Sequence, residues 1–210
     1  MPERVLLVED RESLRGLLHR ALVAGRFEVV AVGDAETAAA RLRDEAEHAR
    51  RVVVGLLGFA RPGEEPATTV RLGELAERCA ERLGPAADAR DQTLRVTGED
   101  REALIASPSA ARQVLDNLVR NAIEASPVGA EVVLELVPGV GVQVHDRGPG
   151  LPEAVRRRLY EPFVTGRPEG TGLGLAVCQR IVRSLGGTLR HDDRPGGGTM
   201  ATWVVKEPHA

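Results

Sequence analysis

The chain is 210 residues long, has a net charge of −3 at pH 7 and is only 2% aromatic, which admits one large or two small domains and argues against a nucleic-acid footprint or a base-stacking platform. The apolar run from Val52 to Ala60 is too short to span a bilayer, and the opening MPERVLLVED lacks a signal-peptide layout. Cys79 and Cys178 have no metal-site or disulfide-framework spacing, so the expectation is a cytoplasmic protein with reduced thiols.

Residues 4–8 (RVLLV) read as an apolar strand ending at Glu9-Asp10. Leu14, Leu17, Leu18, Ala21 and Leu22 then form a helical stripe that Gly25 ends. FEVVAV is a second strand, and Asp34 suits the N-cap of the helix that follows. RVVVGLLGFARPGE reads two ways. Its β-branched valines suit a buried strand. Leu42, Ala46, Ala49, Val53, Leu56 and Ala60 recur at three- and four-residue steps, and we favour a helix over 45–62. RPGEEPATT is a linker, placed at 63–69. A domain then runs from 70 to 206. It begins with the helix VRLGELAERCAERLG and the strand TLRVTG. The next helix spans 108–125, with Ser107 as N-cap and Pro108 in its first turn. Two strands flank a Pro-Gly turn, a short helix lies around 153–160, and a helix over 173–185 stops at Gly186-Gly187. Two strands close the chain.

Four pieces carry chemistry. Asn117 and Asn121 lie four apart on helix 108–125, so both amides project beside the apolar stripe. Neutral oxygens on one face suit a hydrated magnesium ion that bridges phosphates. DRGPG, Asp146 to Gly150, ends a strand with a carboxylate able to accept from an exocyclic amine, beside glycines that let backbone approach a flat ligand. Gly170, Gly172 and Gly174 free backbone N–H groups at a helix N-terminus, an arrangement that attracts anions. Arg167, just before them, can reach a terminal phosphate. GGGT, Gly196 to Thr199, precedes the last strand.

In this order and spacing, the four pieces resemble the ATP-binding boxes of sensor histidine kinase catalytic domains, over about residues 68–206. The resemblance implies an α+β fold: a two-layer α/β sandwich of the Bergerat type. Its mixed, mostly antiparallel sheet is covered on one face by three helices. It also implies ATP and Mg2+ as cofactors, with Asn121 the magnesium ligand and Asn117 its partner one turn earlier. Asp146 would read adenine, with Gly148 and Gly150 beside the base. A lid over 151–169 would be anchored by Phe163. Thr165, Gly170, Thr171, Gly172, Leu173, Gly174 and Thr199 would complete the nucleotide site. Hydrolytic relatives place a glutamate where Asn117 stands. An amide cannot take a proton from water, so the resemblance points to a kinase rather than a hydrolase. Glu124 departs from the pattern, because many relatives carry a cation there.

Residues 45–62 resemble the second helix of the kinase dimerisation hairpin. The phosphoacceptor motif of the first hairpin helix has no match here: His19 is followed by Arg20, and His48 by Ala49. Residues 1–44 instead resemble the first half of a response-regulator receiver, with Glu9 and Asp10 as its acidic pair. No aspartate occurs between 45 and 87, and Lys206 comes too late to serve as the receiver lysine. The expected function is therefore the ATP-binding catalytic part of a two-component sensor histidine kinase, passing the γ-phosphoryl group to a histidine. The expected partners are a response regulator and another kinase chain as phosphoacceptor, in a dimer, with no nucleic acid and no membrane span. The alternative is a silent ATP-binding docking module. A weaker third reading is a serine-directed kinase.

Overall fold

The computed structural model describes residues 3–40, 42, 68–100, 102–105, 107–166 and 172–205. The expected hairpin helix over 45–62 lies outside the described residues, as do Arg167, Gly170, Thr171 and Lys206. The chain divides into two compact units, Met1–Val53 and Val54–Ala210.

In the first unit, β1 (Arg4–Val8) and β2 (Glu28–Val32) pair in parallel, with Leu6 opposite Val30. Parallel neighbours require a crossover, and α1 (Glu12–Ala24) supplies it. Asp34 caps the helical residues 35–40 as expected, its Oδ1 accepting from Thr37 N at 2.7 Å. Glu9 is already engaged: its Oε1 accepts from Arg11 N at 3.1 Å and from Arg11 Nε at 3.3 Å.

The second unit opens with β3 (Thr68–Arg71), paired antiparallel with β5 (Glu102–Ile105). Neither strand was foreseen. Thr68 and Thr69 were assigned to the linker, and Val70 and Arg71 to a helix. The helix α2 (Leu72–Asp88) instead begins at Leu72. Its N-cap residue Arg71 makes no side-chain cap. Asp100 does that work from another loop, accepting from Gly73 N at 2.6 Å and pairing with Arg71 at 2.6 Å. Four-residue strands and a cap 27 residues away leave no periodic trace in sequence.

The main sheet runs β4-β6-β7-β9-β8 in space, where β4 is Thr93–Gly98, β6 is Glu131–Val137 and β7 is Gly141–His145; β8 is Thr188–Asp193 and β9 is Thr199–Val204. Only β4 and β6 are parallel; the other three pairings are antiparallel. The expected mixed sheet is therefore present. Its inner face presents Val132, Leu134, Val142, Val144 and Trp203, all buried. Against it lie α2, α3 (Pro108–Ala125) and α5 (Gly174–Ser184). The stripe on α3, from Ala111 through Val114, Leu115, Leu118 and Ala122, is buried as its spacing predicts. Ser107 caps α3, its Oγ accepting from Ala110 N at 3.4 Å. The short helix α4 covers only Glu153–Arg156, half the span expected, and turns continue to Tyr160.

Candidate nucleotide-binding site

The C-terminus of α3 positions one wall. Helix ends leave carbonyls without intrahelical partners, and a buried side chain answers two of them here, together with the carbonyl just beyond. Gln92 Nε2 donates to Ile123 O (3.1 Å), Ser126 O (2.9 Å) and Pro127 O (3.0 Å). Ser126, held in this way, accepts at its Oγ from Arg147 N at 3.1 Å. The DRGPG loop is thereby fastened to the helix end. Gly148 is required there: a Cβ would lie 2.8 Å from Ala125 O.

Asp146 is 8% exposed. Its Oδ1 accepts from Gly148 N (2.8 Å) and from Thr199 N (2.9 Å). Its main chain joins the β9 ladder, with Asp146 N donating to Thr199 O at 3.0 Å. Arg194 Nη1 donates to Asp146 O at 3.0 Å. A Cβ at Gly198 would fall 2.2 Å from that same carbonyl, so only glycine lets the β8–β9 turn approach so closely. Both carboxylate orientation and backbone position are thus set by bonds to Oδ1 and to O. Among the described residues, Oδ2 takes no hydrogen bond.

Asn117 and Asn121 are both half-buried on α3, one turn apart. The Asn117 amide reaches Cys178 on α5, whose thiol is pushed up to about 12 by burial, with the amide beside it acting the other way. Cys178 is wholly buried, an ordinary core residue as its helix position suggests. Glu124 is exposed.

Gly150, just ahead of the expected lid over 151–169, has a φ of +80° that suits glycine. Leu159 is buried, and Tyr160 OH lies 3.1 Å from Leu189 O and 2.9 Å from His191 Nδ1. Phe163 is 71% exposed with φ +65°, so its ring is not part of the core. Its N–H donates to Gly172 O at 3.1 Å, and a Cβ on Gly172 would meet Phe163 C at 2.5 Å. Thr165 is exposed and Leu173 is 2% exposed. Gly174 opens α5, and nothing lies within 4 Å of where its Cβ would be. Its N-cap residue, Leu173, makes no side-chain cap. Thr199 sits buried at the head of β9.

The structure thus brings Asp146, Gly148, Gly150 and Thr199 together, and Cys178 of α5 packs on α3 with its Sγ 3.9 Å from Val114 O. Gln92, Ser126, Arg156, Asp193 and Arg194 were missed. Each acts through partners distant in sequence, and no motif spacing marks them. A concavity of about 460 Å³ lies elsewhere, between α2 and β4, lined by Glu74, Glu77, Glu81 and Asp100 together with Arg78. Its excess of carboxylates disfavours a triphosphate.

The family profile described as histidine kinase-, DNA gyrase B-, and HSP90-like ATPase matches residues 106–209. The sensor histidine kinase ZraS of Escherichia coli K12 is 34% identical over 179 residues, covering 82% of this chain and 38% of that protein. The solved mycobacterial sensor histidine kinase MprB is 30% identical; the match covers 68% of this chain and 99% of that one, with a TM-score of 0.60. The chain belongs to the histidine kinase-type ATPase family. Full-length ShkA, solved in complex with AMPPNP, is 25% identical over 94% of this chain and 44% of its own, with a TM-score of 0.63. This kinase-type domain is the family's ATP-binding module. The chain spans about two fifths or less of the length of the curated relatives it matches. Among the described residues, no helix is long and apolar enough to cross a membrane.

Proposed function

We propose that the chain is the ATP-binding catalytic part of a two-component sensor histidine kinase, which transfers the γ-phosphoryl group of ATP to a histidine for relay to a response regulator. The observation that carries this reading is the Asp146 carboxylate, held by two backbone donors on Oδ1 and with Oδ2 left for a ligand. Adenine offers an amine at one edge, and Oδ2 would accept it. The glycines of the loop would lie along the base. The N-terminus of α5 and the open space at Gly174 suit the phosphates. ATP supplies the phosphoryl group, and such transfer depends mainly on positioning and charge neutralisation.

Within that reading Asn121 holds magnesium, and Arg167 reaches the terminal phosphate. Asn117 withholds a general base from water, which protects the nucleotide until an acceptor arrives. Residues 1–44 are read as a truncated receiver segment that accepts no phosphate; the Arg11 contacts support this by engaging Glu9, one of its two acids. The partners are a response regulator and a second kinase chain, in a dimer.

The silent docking module remains the second reading, favoured by the histidines themselves. His145 Nε2 lies 3.0 Å from Glu135 and His191 pairs with Tyr160, and His19 lacks the acidic neighbour of a phosphoacceptor. Incubation with γ-labelled ATP and magnesium, with a related kinase hairpin as acceptor, separates these readings. Acid-labile, alkali-stable label is expected. Acid-stable label would point to serine, and nucleotide binding with no transfer to any acceptor would favour the docking module.

A further inference from the structure

Arg156 and Asp193 join two parts of the site that no motif connects. Arg156 lies on α4, the first lid helix, and its Nη2 is 2.5 Å from Asp193 Oδ1 at the end of β8. The same nitrogen reaches Leu151 O at 3.5 Å, in the segment that leaves the glycine loop. Glu153 backs the guanidinium at 3.7 Å. Asp193 stands directly opposite Thr199 in the β8–β9 register, and Thr199 N is one of the two donors that orient Asp146. A Cβ at Gly150 would lie 3.9 Å from both Asp193 Oδ1 and Gly198 O. The glycine loop, the hairpin turn and the lid helix therefore meet at this ion pair. Arg194, next along the turn, holds the Asp146 carbonyl.

We propose that Arg156 and Asp193 form a positioning pair that holds the first lid helix to the rim of the base pocket and slows departure of the bound nucleotide. The inference rests on reading this pocket as an ATP site. With side-chain exposures of 31% for Arg156 and 69% for Asp193, the pair is partly screened by water, so its effect is modest.

The test uses the full chain, mant-ATP with magnesium, and stopped-flow release. Arg156→Glu and Asp193→Arg should each speed release about two- to fivefold at low salt, with the thermal midpoint unchanged within about 2 °C. The double reversal, Arg156→Glu with Asp193→Arg, restores opposite charges and should return release close to that of the unsubstituted chain. The differences should shrink in about 1 M salt, where the screening length falls to about 3 Å. Unchanged release in both single variants, or no recovery in the double, overturns the proposal. Asp146→Asn is run beside them. If it weakens mant-ATP while the Arg156 and Asp193 variants do not, the positioning pair alone is refuted. If it too leaves binding intact, the ATP reading of the pocket falls with it.

Discussion

Replacing Asp146 by Asn inverts one hydrogen-bonding group without disturbing its surroundings. Gly148 N–H and Thr199 N–H both donate to Oδ1, at 2.8 and 2.9 Å. An asparagine must keep its carbonyl oxygen at that place, because the other rotamer would set an NH2 group against two N–H donors. The amide nitrogen then takes the Oδ2 position. An acceptor aimed at the exocyclic amine of adenine becomes a donor. The lost bond to a charged acceptor is worth about 1.5–3 kcal/mol, and the unpaired donors add about 1 kcal/mol more. The sum, about 2–4 kcal/mol, corresponds to a rise of about 30- to 1000-fold in the Kd for ATP. Guanine carries a carbonyl oxygen on the matching edge, so GTP should lose little or gain. Fold stability should fall by no more than about 1–2 kcal/mol, since both backbone bonds persist on a neutral acceptor. Calorimetric titration with the magnesium complexes of ATP and GTP measures this. Equal weakening of both nucleotides, or a loss for ATP below about threefold, would refute the base-reading role.

Asn121→Ala should abolish the magnesium-dependent part of ATP affinity; affinity that still responds to magnesium would remove Asn121 from the metal site. Gln92→Leu keeps the volume but removes the amide shared by Ile123 O, Ser126 O and Pro127 O; Ser126 O keeps Arg90 and Pro127 O keeps Ala130 N. At about 0.5–1.5 kcal/mol for each of the two N–H groups it should cost about 1–3 kcal/mol in urea unfolding, and a loss under about 0.5 kcal/mol would show that the helix end holds itself. Burial pushes the His191 imidazole down to about 4. The native state therefore excludes a proton that the unfolded chain takes up below about pH 6.5. Stability from this group is complete above that pH and falls as pH drops toward 4, by up to about 3 kcal/mol; His191→Asn should flatten that slope, and an unaltered slope would place its origin elsewhere. Gly198→Ala drives a methyl group into the Asp146 carbonyl at a φ of +104°. It should weaken ATP and stability together, as read by titration and thermal unfolding.

Much of the fold was legible because its helices and central strands follow simple periods. The stripe on α3, the Ser107 cap and the closing strands β8 and β9 all fell where spacing placed them. The short pair β3 and β5 did not, because four residues carry too little alternation to be read. The start of α2 was misplaced because its cap comes from Asp100, outside the helix sequence. The site motifs were legible for a different reason. Asp146, Gly148 and the residues around Gly172 sit in short stretches where backbone approach demands glycine, and that demand is written locally.

The sequence by itself supplied the residues proposed for the site: the two asparagines, the strand-end carboxylate and the glycines, whose types and spacing follow from covalent geometry and helix period. Only the tertiary structure decided how they are held. Gln92 at the head of β4 fastens the end of α3, Ser126 fastens the DRGPG loop, and Thr199 orients the Asp146 carboxylate. These partners are brought together by closure of the sheet and burial of its inner face. Hydrogen bonds between residues tens of positions apart depend on that packing, and no local pattern in the chain encodes it.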